Sequence, residues 1–341
     1  MKNKHNKKIF QLIQIIIGII ISIFFLWLSF KNTNLNDFIS SFYNANYLLL
    51  IIAMIILIGS VWIRAIRWKY LLIGIGETST EDAYKATMIG NMGNNILPLK
   101  MGEILRAYAI SKKADIIISG AFSSIIIERI VDIISLLLII TIIFTLFPIT
   151  EITQIIAFFG YFILIGFLIL TYLLFKYEDK FKKWYFNKQK KLNEKNKGFL
   201  AKHLIGFCQG IESLWQNPNQ GKTIILSLLI WLMYFIFTIL CILALNIDIS
   251  ISDCLKCTVL ILTFTTFAIL IPAAPGSIGT YQIATIVALQ IIGININIAR
   301  AFSIIYFLVQ YLPFTIIGLY YFFQMNMHIS DLEHKIIGKK E

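Results

Sequence analysis

Residues 116–147 read IIISGAFSSIIIERIVDIISLLLIITIIFTLF. The run outlasts the roughly 20 apolar residues that cross a hydrocarbon core about 30 Å thick. Three ionisable residues interrupt it: Glu128, Arg129 and Asp132. A soluble core does not call for an apolar stretch of this length, and a passive anchor does not call for the charges. The segment therefore predicts a membrane helix that carries something polar at depth.

Runs of similar character occupy 9–30, 47–66, 153–175, 223–245 and 299–324. With 116–147 they predict about six full transmembrane helices. Of 341 residues, 58% are hydrophobic and 14% charged, and the mean hydropathy is +0.79. A soluble domain averages about 45–50% apolar and about 25% charged residues. The fold expected is an all-α integral membrane protein, a single polytopic domain over residues 1–330. The first run follows a basic stretch, Met1–Lys8, but it is too long for a signal-peptide core. Ser29-Phe30-Lys31 is not a small-residue cleavage site either, so a retained first helix is expected.

The formal charge of +12 would suggest nucleic acid in a soluble chain. Its placement points elsewhere. Twenty-six of the 30 Lys and Arg residues fall within 1–8, 64–85, 100–113, 176–222 and 335–340. The positive-inside rule puts those stretches on the cytoplasmic side, with both termini and the 331–341 tail, in the plasma membrane. Membrane lipids with anionic or phosphate headgroups are the expected partners, and nucleic acid is not. Within the basic loop 176–222, Leu204, Phe207, Cys208, Ile211, Leu214 and Trp215 recur at helical spacing, which predicts an interfacial amphipathic helix.

Two segments are apolar but broken. Residues 81–113 are basic at both ends and carry Asn91, Asn94, Asn95, Pro98, Gly102 and Glu103 between them. Residues 253–295 contain two short apolar pieces, 257–271 and 280–293, around Pro272-Ala-Ala-Pro275-Gly276-Ser-Ile-Gly279. Broken backbone at membrane depth needs protein or water around it. Both segments are therefore expected to be re-entrant helical hairpins, which makes eight or more membrane segments. Alternating charge places the hairpins on opposite faces, the pattern of an inverted repeat built around discontinuous helices. No repeat is evident residue by residue, so that expectation rests on topology alone.

Glu128 and Asp132, four apart, share a helix face, and Arg129 reaches Asp132 at i,i+3. An ionised group at a helix centre costs about 2.5–3.5 kcal/mol on insertion scales, so such groups pair or line a cavity. The alternative is a structural salt bridge near the cytoplasmic boundary. Around the first break, free N–H groups at a helix start and Arg106 could hold a phosphate oxygen, with Asn94, Asn95, Pro98 and Glu103 beside them. Alternatively Glu103 caps the second helix and pairs with Arg106, without any ligand. Arg64 and Arg67, flanked by Trp62 and Trp68, read equally as interfacial anchors. Pro275, Gly276 and Gly279 offer unpaired amides at the second break.

Catalytic signatures are sparse: there is no Walker A loop, HExxH or GxSxG. Cys254 and Cys257 have CxxC spacing without a second pair or nearby His to complete a zinc site. No catalytic residue, metal or cofactor is expected.

These residues are also where the chain resembles a known family, that of the lysylphosphatidylglycerol synthase transmembrane (flippase-like) domain. The similar stretches are Arg64-Ala-Ile-Arg67-Trp68, Asn94-Asn-Ile-Leu-Pro98 through Gly102-Glu103 and Arg106, Glu128-Arg129 with Asp132, and Pro275-Gly276-Ser-Ile-Gly279. They stand in the family's order and cover nearly the whole chain. Two positions depart: Ser277 replaces the second Gly of a usual Pro-Gly-Gly, and Gln282 stands where a Glu commonly follows. The resemblance implies a translocase for a phospholipid such as lysyl-phosphatidylglycerol, or for a lipid-linked headgroup. Arg64, Arg67, Arg106 and Arg129 would then bind a phosphate in a polar crevice formed by the hairpins. Glu103, Glu128 and Asp132 would pair those arginines at rest or accept the headgroup. In the two-part synthases lysyl transfer belongs to a separate cytoplasmic domain, so a separate transferase protein is an expected partner. The competing readings are a membrane-embedded lysyl- or glycosyltransferase and a supporting subunit of one.

Overall fold

The computed structural model describes residues 20, 23–31, 35–98, 100–114, 116–146, 162, 165–166, 169, 219–270 and 275–327. The expected span at 153–175, the amphipathic helix within 176–222 and the 331–341 tail lie outside the described residues, apart from those few positions. Every regular element among the described residues is helical. The helices are α1 Leu35–Tyr43, α2 Tyr47–Leu72, α3 Thr80–Ile96, α4 Met101–Lys113, α5 Ile118–Leu146, α6 Gln220–Ala244, α7 Ile251–Leu270, α8 Thr280–Ile291 and α9 Ile296–Gln324. A 3-10 turn, Pro275–Ser277, precedes α8.

The protein is an all-α, multi-pass membrane protein. Four described helices are long and apolar enough to cross a membrane: Tyr47–Leu72, Gly221–Ala244, Ile251–Ile269 and Ile296–Gln324. Their outer faces are apolar, as lipid requires. On α6 the exposed residues include Ile224, Ile225, Leu228 and Leu232, and on α2 Leu48, Ile51 and Ile55. The interior holds the charges instead, with Arg64, Arg67, Arg106 and Glu128 all buried. A water-soluble fold places these classes the other way round.

Two differences from the sequence expectation stand out. The loop between the first two spans contains a helix, α1, which the weak polarity of residues 31–46 does not announce. The first half of the second broken segment is also longer than the short apolar piece 257–271. It starts at Ile251 because Ser250 caps it: Asp253 N donates to Ser250 Oγ at 3.1 Å, and Ser250 Oγ donates to Asp253 Oδ2 at 2.8 Å. The cap extends the helix through polar residues that hydropathy alone assigns to a loop. By length and composition α7 can cross a membrane, whereas α8, at 12 residues, is too short.

Among the described residues, α3 ends at Ile96 and α4 begins at Met101, while α7 ends at Leu270 and α8 begins at Thr280 after the 3-10 turn. α3 and α4 fold back on each other through glycines. A Cβ on Gly93 would stand 2.7 Å from Gly102 Cα, and one on Gly102 would overlap Gly90 O and Asn94 N.

The described residues fall into two compact units. One takes in the described residues of Met1–Val61, Met88–Leu105 and Leu232–Met327. In it α7 packs on α8, α8 on α9, and α9 on α1. Gly318 lets α9 lie against Met88 and Met92 of α3. Arg300 is buried here: its Nε donates to Ser29 O at 2.7 Å and its other nitrogens reach Lys31 O and Asn297 Oδ1. It closes the carbonyl end of the helix at 23–30. Asn46 N donates to Ala244 O at 2.7 Å, joining the start of α2 to the end of α6.

The other unit takes in the described residues of Trp62–Thr87 and Arg106–Trp231. It contains the end of α2, the start of α3, the end of α4, α5 and the start of α6. α3 starts on Ser79, whose Oγ accepts from Asp82 N at 3.0 Å and donates to Asp82 Oδ2 at 2.6 Å. A Cβ on Gly120 would lie 2.6 Å from Ile75 Cγ2, so α5 passes close to the turn after α2.

Candidate functional site: a buried arginine cluster on Glu128

α2 ends with Arg64, Arg67 and Trp68 at i, i+3 and i+4, so all three lie on one face. α5 presents Ser124, Glu128 and Asp132 at successive i+4 positions, again on one face. These faces meet, and α4 adds Arg106. Glu128 Oε1 accepts from Arg64 Nε at 3.0 Å and from Arg64 NH2 at 2.6 Å. Arg67 NH2 stands 3.5 Å from the same oxygen and 2.7 Å from Asp132 Oδ1. Glu128 Oε2 accepts from Arg106 NH2 at 2.7 Å. Three guanidinium groups thus share one carboxylate whose side chain is 0% exposed.

Two further contacts position the arginines. Arg67 NH1 donates to Ser227 Oγ of α6 at 2.9 Å. The Arg106 guanidinium lies 3.8 Å from the centre of the Trp68 ring, a cation–π contact. Trp68 Nε1 in turn donates to Ser124 Oγ at 2.8 Å, fixing the ring. Arg129 is 42% exposed and stands 3.7 Å from Asp132 Oδ2, at the margin of the cluster.

Arg64 and Arg67 are therefore not snorkelling interfacial anchors, because both are buried. Among the described residues, three buried arginines are set against Glu128 and the partly exposed Asp132. Arg67 Nε is buried without a hydrogen-bond partner there. Such an arrangement suits a doubly coordinated oxyanion, carboxylate or phosphate, because the guanidinium fork matches both.

The remaining candidates gather in the first unit described, around the two breaks. Asn95 Nδ2 donates to Tyr311 O at 3.2 Å and to Thr315 Oγ1 at 2.9 Å, and Tyr311 OH donates to Asn95 O at 3.4 Å. Asn94 Nδ2 donates to Glu103 Oε1 at 3.4 Å, in the first turn of α4. Pro98 lies in the first break and Pro275 opens the 3-10 turn of the second. Lys100 Nζ donates to Ser277 Oγ at 2.9 Å, so the two breaks touch. Gly276 has φ 71, and a Cβ there would meet Tyr311 Cε2 at 2.8 Å. Gly279, at φ 90, precedes α8, and its N–H donates to Gln282 Oε1 at 2.6 Å. Gln282 thus caps α8. Ser277, at φ 55, occupies a backbone region that favours glycine, which is the residue the resemblance leads one to expect there.

Ser124, Ser227 and the support that Trp68 gives Arg106 carry no signal in the sequence. Serines in apolar spans bond routinely to their own helix, as Ser227 Oγ does to Thr223 O at 2.8 Å, so their spacing carries little signal. Cys254 and Cys257 are free, buried thiols on α7. Among the described residues no group of three His, Cys, Asp or Glu side chains is placed to hold a metal ion.

The family model of the lysylphosphatidylglycerol synthase TM region matches residues 15–318. A UPF0104 membrane protein of Methanocaldococcus jannaschii is 26% identical over 322 residues, 88% of this chain and 91% of that protein. No solved structure matches.

Proposed function

The chain belongs to the lysylphosphatidylglycerol synthase TM region family, and from that premise we propose that it is a lipid translocase. It moves a phospholipid such as lysyl-phosphatidylglycerol, or a lipid-linked headgroup, between leaflets of the cytoplasmic membrane. The observation that carries this reading is the convergence of buried Arg64, Arg67 and Arg106 on Glu128, inside a chain whose outer faces are apolar. Stability alone is a weak reason for such a group, since buried ion pairs often do no better than apolar packing. Ionisable residues within membrane segments more often mark the path of a polar substrate.

Glu128 acts as the resident counterion. In the resting protein its two oxygens hold the arginines as a substrate phosphate would. An arriving headgroup phosphate shares the arginines with the carboxylate, so no guanidinium is left as unpaired buried charge. The same sharing keeps binding weak enough for release, as any transport site requires.

A leaflet-resolved assay tests the proposal. The full chain is reconstituted in vesicles, and the transfer of a fluorescent phospholipid to the protected leaflet is followed. Wild-type protein is expected to accelerate transfer, and Arg67→Gln and Glu128→Gln, compared at equal amounts of folded protein, to abolish the acceleration. Unchanged transfer in both variants would overturn the assignment. Product formation from an aminoacyl or sugar donor by the purified chain would move it to the transferase reading.

A further inference from the structure

Among the described residues, one succession of helices occurs twice. α2, α3, α4 and α5 contain 26, 17, 13 and 29 residues, and α6, α7, α8 and α9 contain 25, 20, 12 and 29. Each series is a long helix, a broken pair and a second long helix. The details agree as well. α3 and α7 both start on a Ser-x-x-Asp cap, Ser79 to Asp82 and Ser250 to Asp253, with the same two hydrogen bonds. α4 and α8 both follow a left-handed residue, Lys100 at φ 56 and Gly279 at φ 90. Glu103 is the third residue of α4, and Gln282 is the third of α8.

This register assigns a counterpart to the Glu128 cluster. Glu128 is the eleventh residue of α5, and Tyr306 is the eleventh of α9. Asp132 is the fifteenth of α5, and Gln310 is the fifteenth of α9. Arg64 is the eighteenth residue of α2, and Thr238 stands one further along α6. Where Arg64 meets Glu128 in the first series, Thr238 Oγ1 and Tyr306 OH lie 2.9 Å apart in the second. Gln310 Nε2 donates to Tyr281 OH of α8, completing a cluster on the helices equivalent to those of the first. Thr238, Tyr281 and Tyr306 are buried, at 0%, 4% and 2% exposure. The second cluster contains hydroxyls and an amide where the first has guanidinium and carboxylate groups.

We propose that the cluster of Thr238, Tyr281, Tyr306 and Gln310 is a second substrate site, which receives the uncharged, hydroxyl-bearing part of the headgroup. The inference rests on the translocase reading. A cluster on the corresponding helices of the second series, with neutral donors and acceptors in place of ions, suits a neutral polar ligand. Hydroxyls and amides exchange hydrogen bonds with an alcohol at little electrostatic cost, and a neutral cluster does not compete for the phosphate.

Binding of two short-chain lipids to the full chain in detergent separates the outcomes. Dioctanoyl phosphatidylglycerol carries headgroup hydroxyls, and dioctanoyl phosphatidic acid has the same acyl chains without them. Tyr306→Phe keeps the ring and removes one hydroxyl, and Gln310→Leu keeps the bulk and removes the amide. Each is expected to weaken the glycerol lipid about five- to tenfold, the range for a lost neutral hydrogen bond, with phosphatidic acid changed less than about twofold. Equal weakening of both lipids, or of neither, would overturn the inference while leaving the Glu128 site standing. If wild-type protein binds neither lipid, the translocase reading falls and takes the inference with it. Should Gln310→Leu fail to fold, Tyr306→Phe alone decides.

Discussion

Glu128 and Arg129 are neighbours in sequence with opposite environments. The Glu128 side chain is 0% exposed and holds three arginines, whereas the Arg129 side chain is 42% exposed with Asp132 at 3.7 Å. Removing one member of a buried ion pair typically costs about 3–5 kcal/mol, because the charge left behind is uncompensated. Glu128→Ala is therefore expected to lower the thermal midpoint of the solubilised chain by many degrees. Arg129→Gln should cost no more than about 1 kcal/mol, as an exposed pair does. Parallel melting curves of the two variants check this, and similar shifts would mean that the cluster does not bear on Glu128 as described. The sequence marks both residues equally, as charges in an apolar run. It cannot rank them, because burial is set by which face of α5 meets α2 and α4.

At the scale of elements, the two breaks are held by small residues under tight constraint. A side chain on Gly102 would collide with the backbone of α3, so Gly102→Ala is expected to cost about 1–3 kcal/mol, the usual penalty of overpacking. Ser277 bears the opposite strain. Its φ of 55 favours glycine, so Ser277→Gly should relieve about 1 kcal/mol, offset by loss of the hydrogen bond from Lys100. A Ser277→Gly variant destabilised by as much as Gly102→Ala would show that the Lys100 contact outweighs the strain. That hairpins are broken at Pro98 and around Pro275 is legible in the sequence, since proline and glycine interrupt apolar runs in few other ways. That the two breaks touch through Lys100 and Ser277 is not, because 177 residues separate the partners.

For the whole molecule, the repeated helix succession gives the inverted topology a test. Glu77 and Asp248 are both exposed, and each stands two residues before the serine that caps a broken pair. If the second series is inverted relative to the first, they lie on opposite sides of the membrane. In a background without the native cysteines, a maleimide that cannot cross membranes should label Glu77→Cys from one side only and Asp248→Cys from the other. Labelling of both from the same side would exclude the inverted arrangement. The repeat escapes a residue-by-residue reading because what recurs is helix length, cap and register, while the polar side chains at equivalent positions differ.

Length and hydropathy alone make this a polytopic α-helical membrane protein, because lipid leaves a chain few ways to satisfy its backbone and charged residues few places to go. The same constraints point to Arg64, Arg67, Arg106, Glu128 and Asp132, since an ion in an apolar run must find a partner. Which partner it finds depends on the rotation of each helix about its axis and on close approaches that glycines permit. Only the tertiary structure could therefore gather three arginines on Glu128, set Trp68 beneath Arg106, and bring Tyr306 and Thr238 together in the second series.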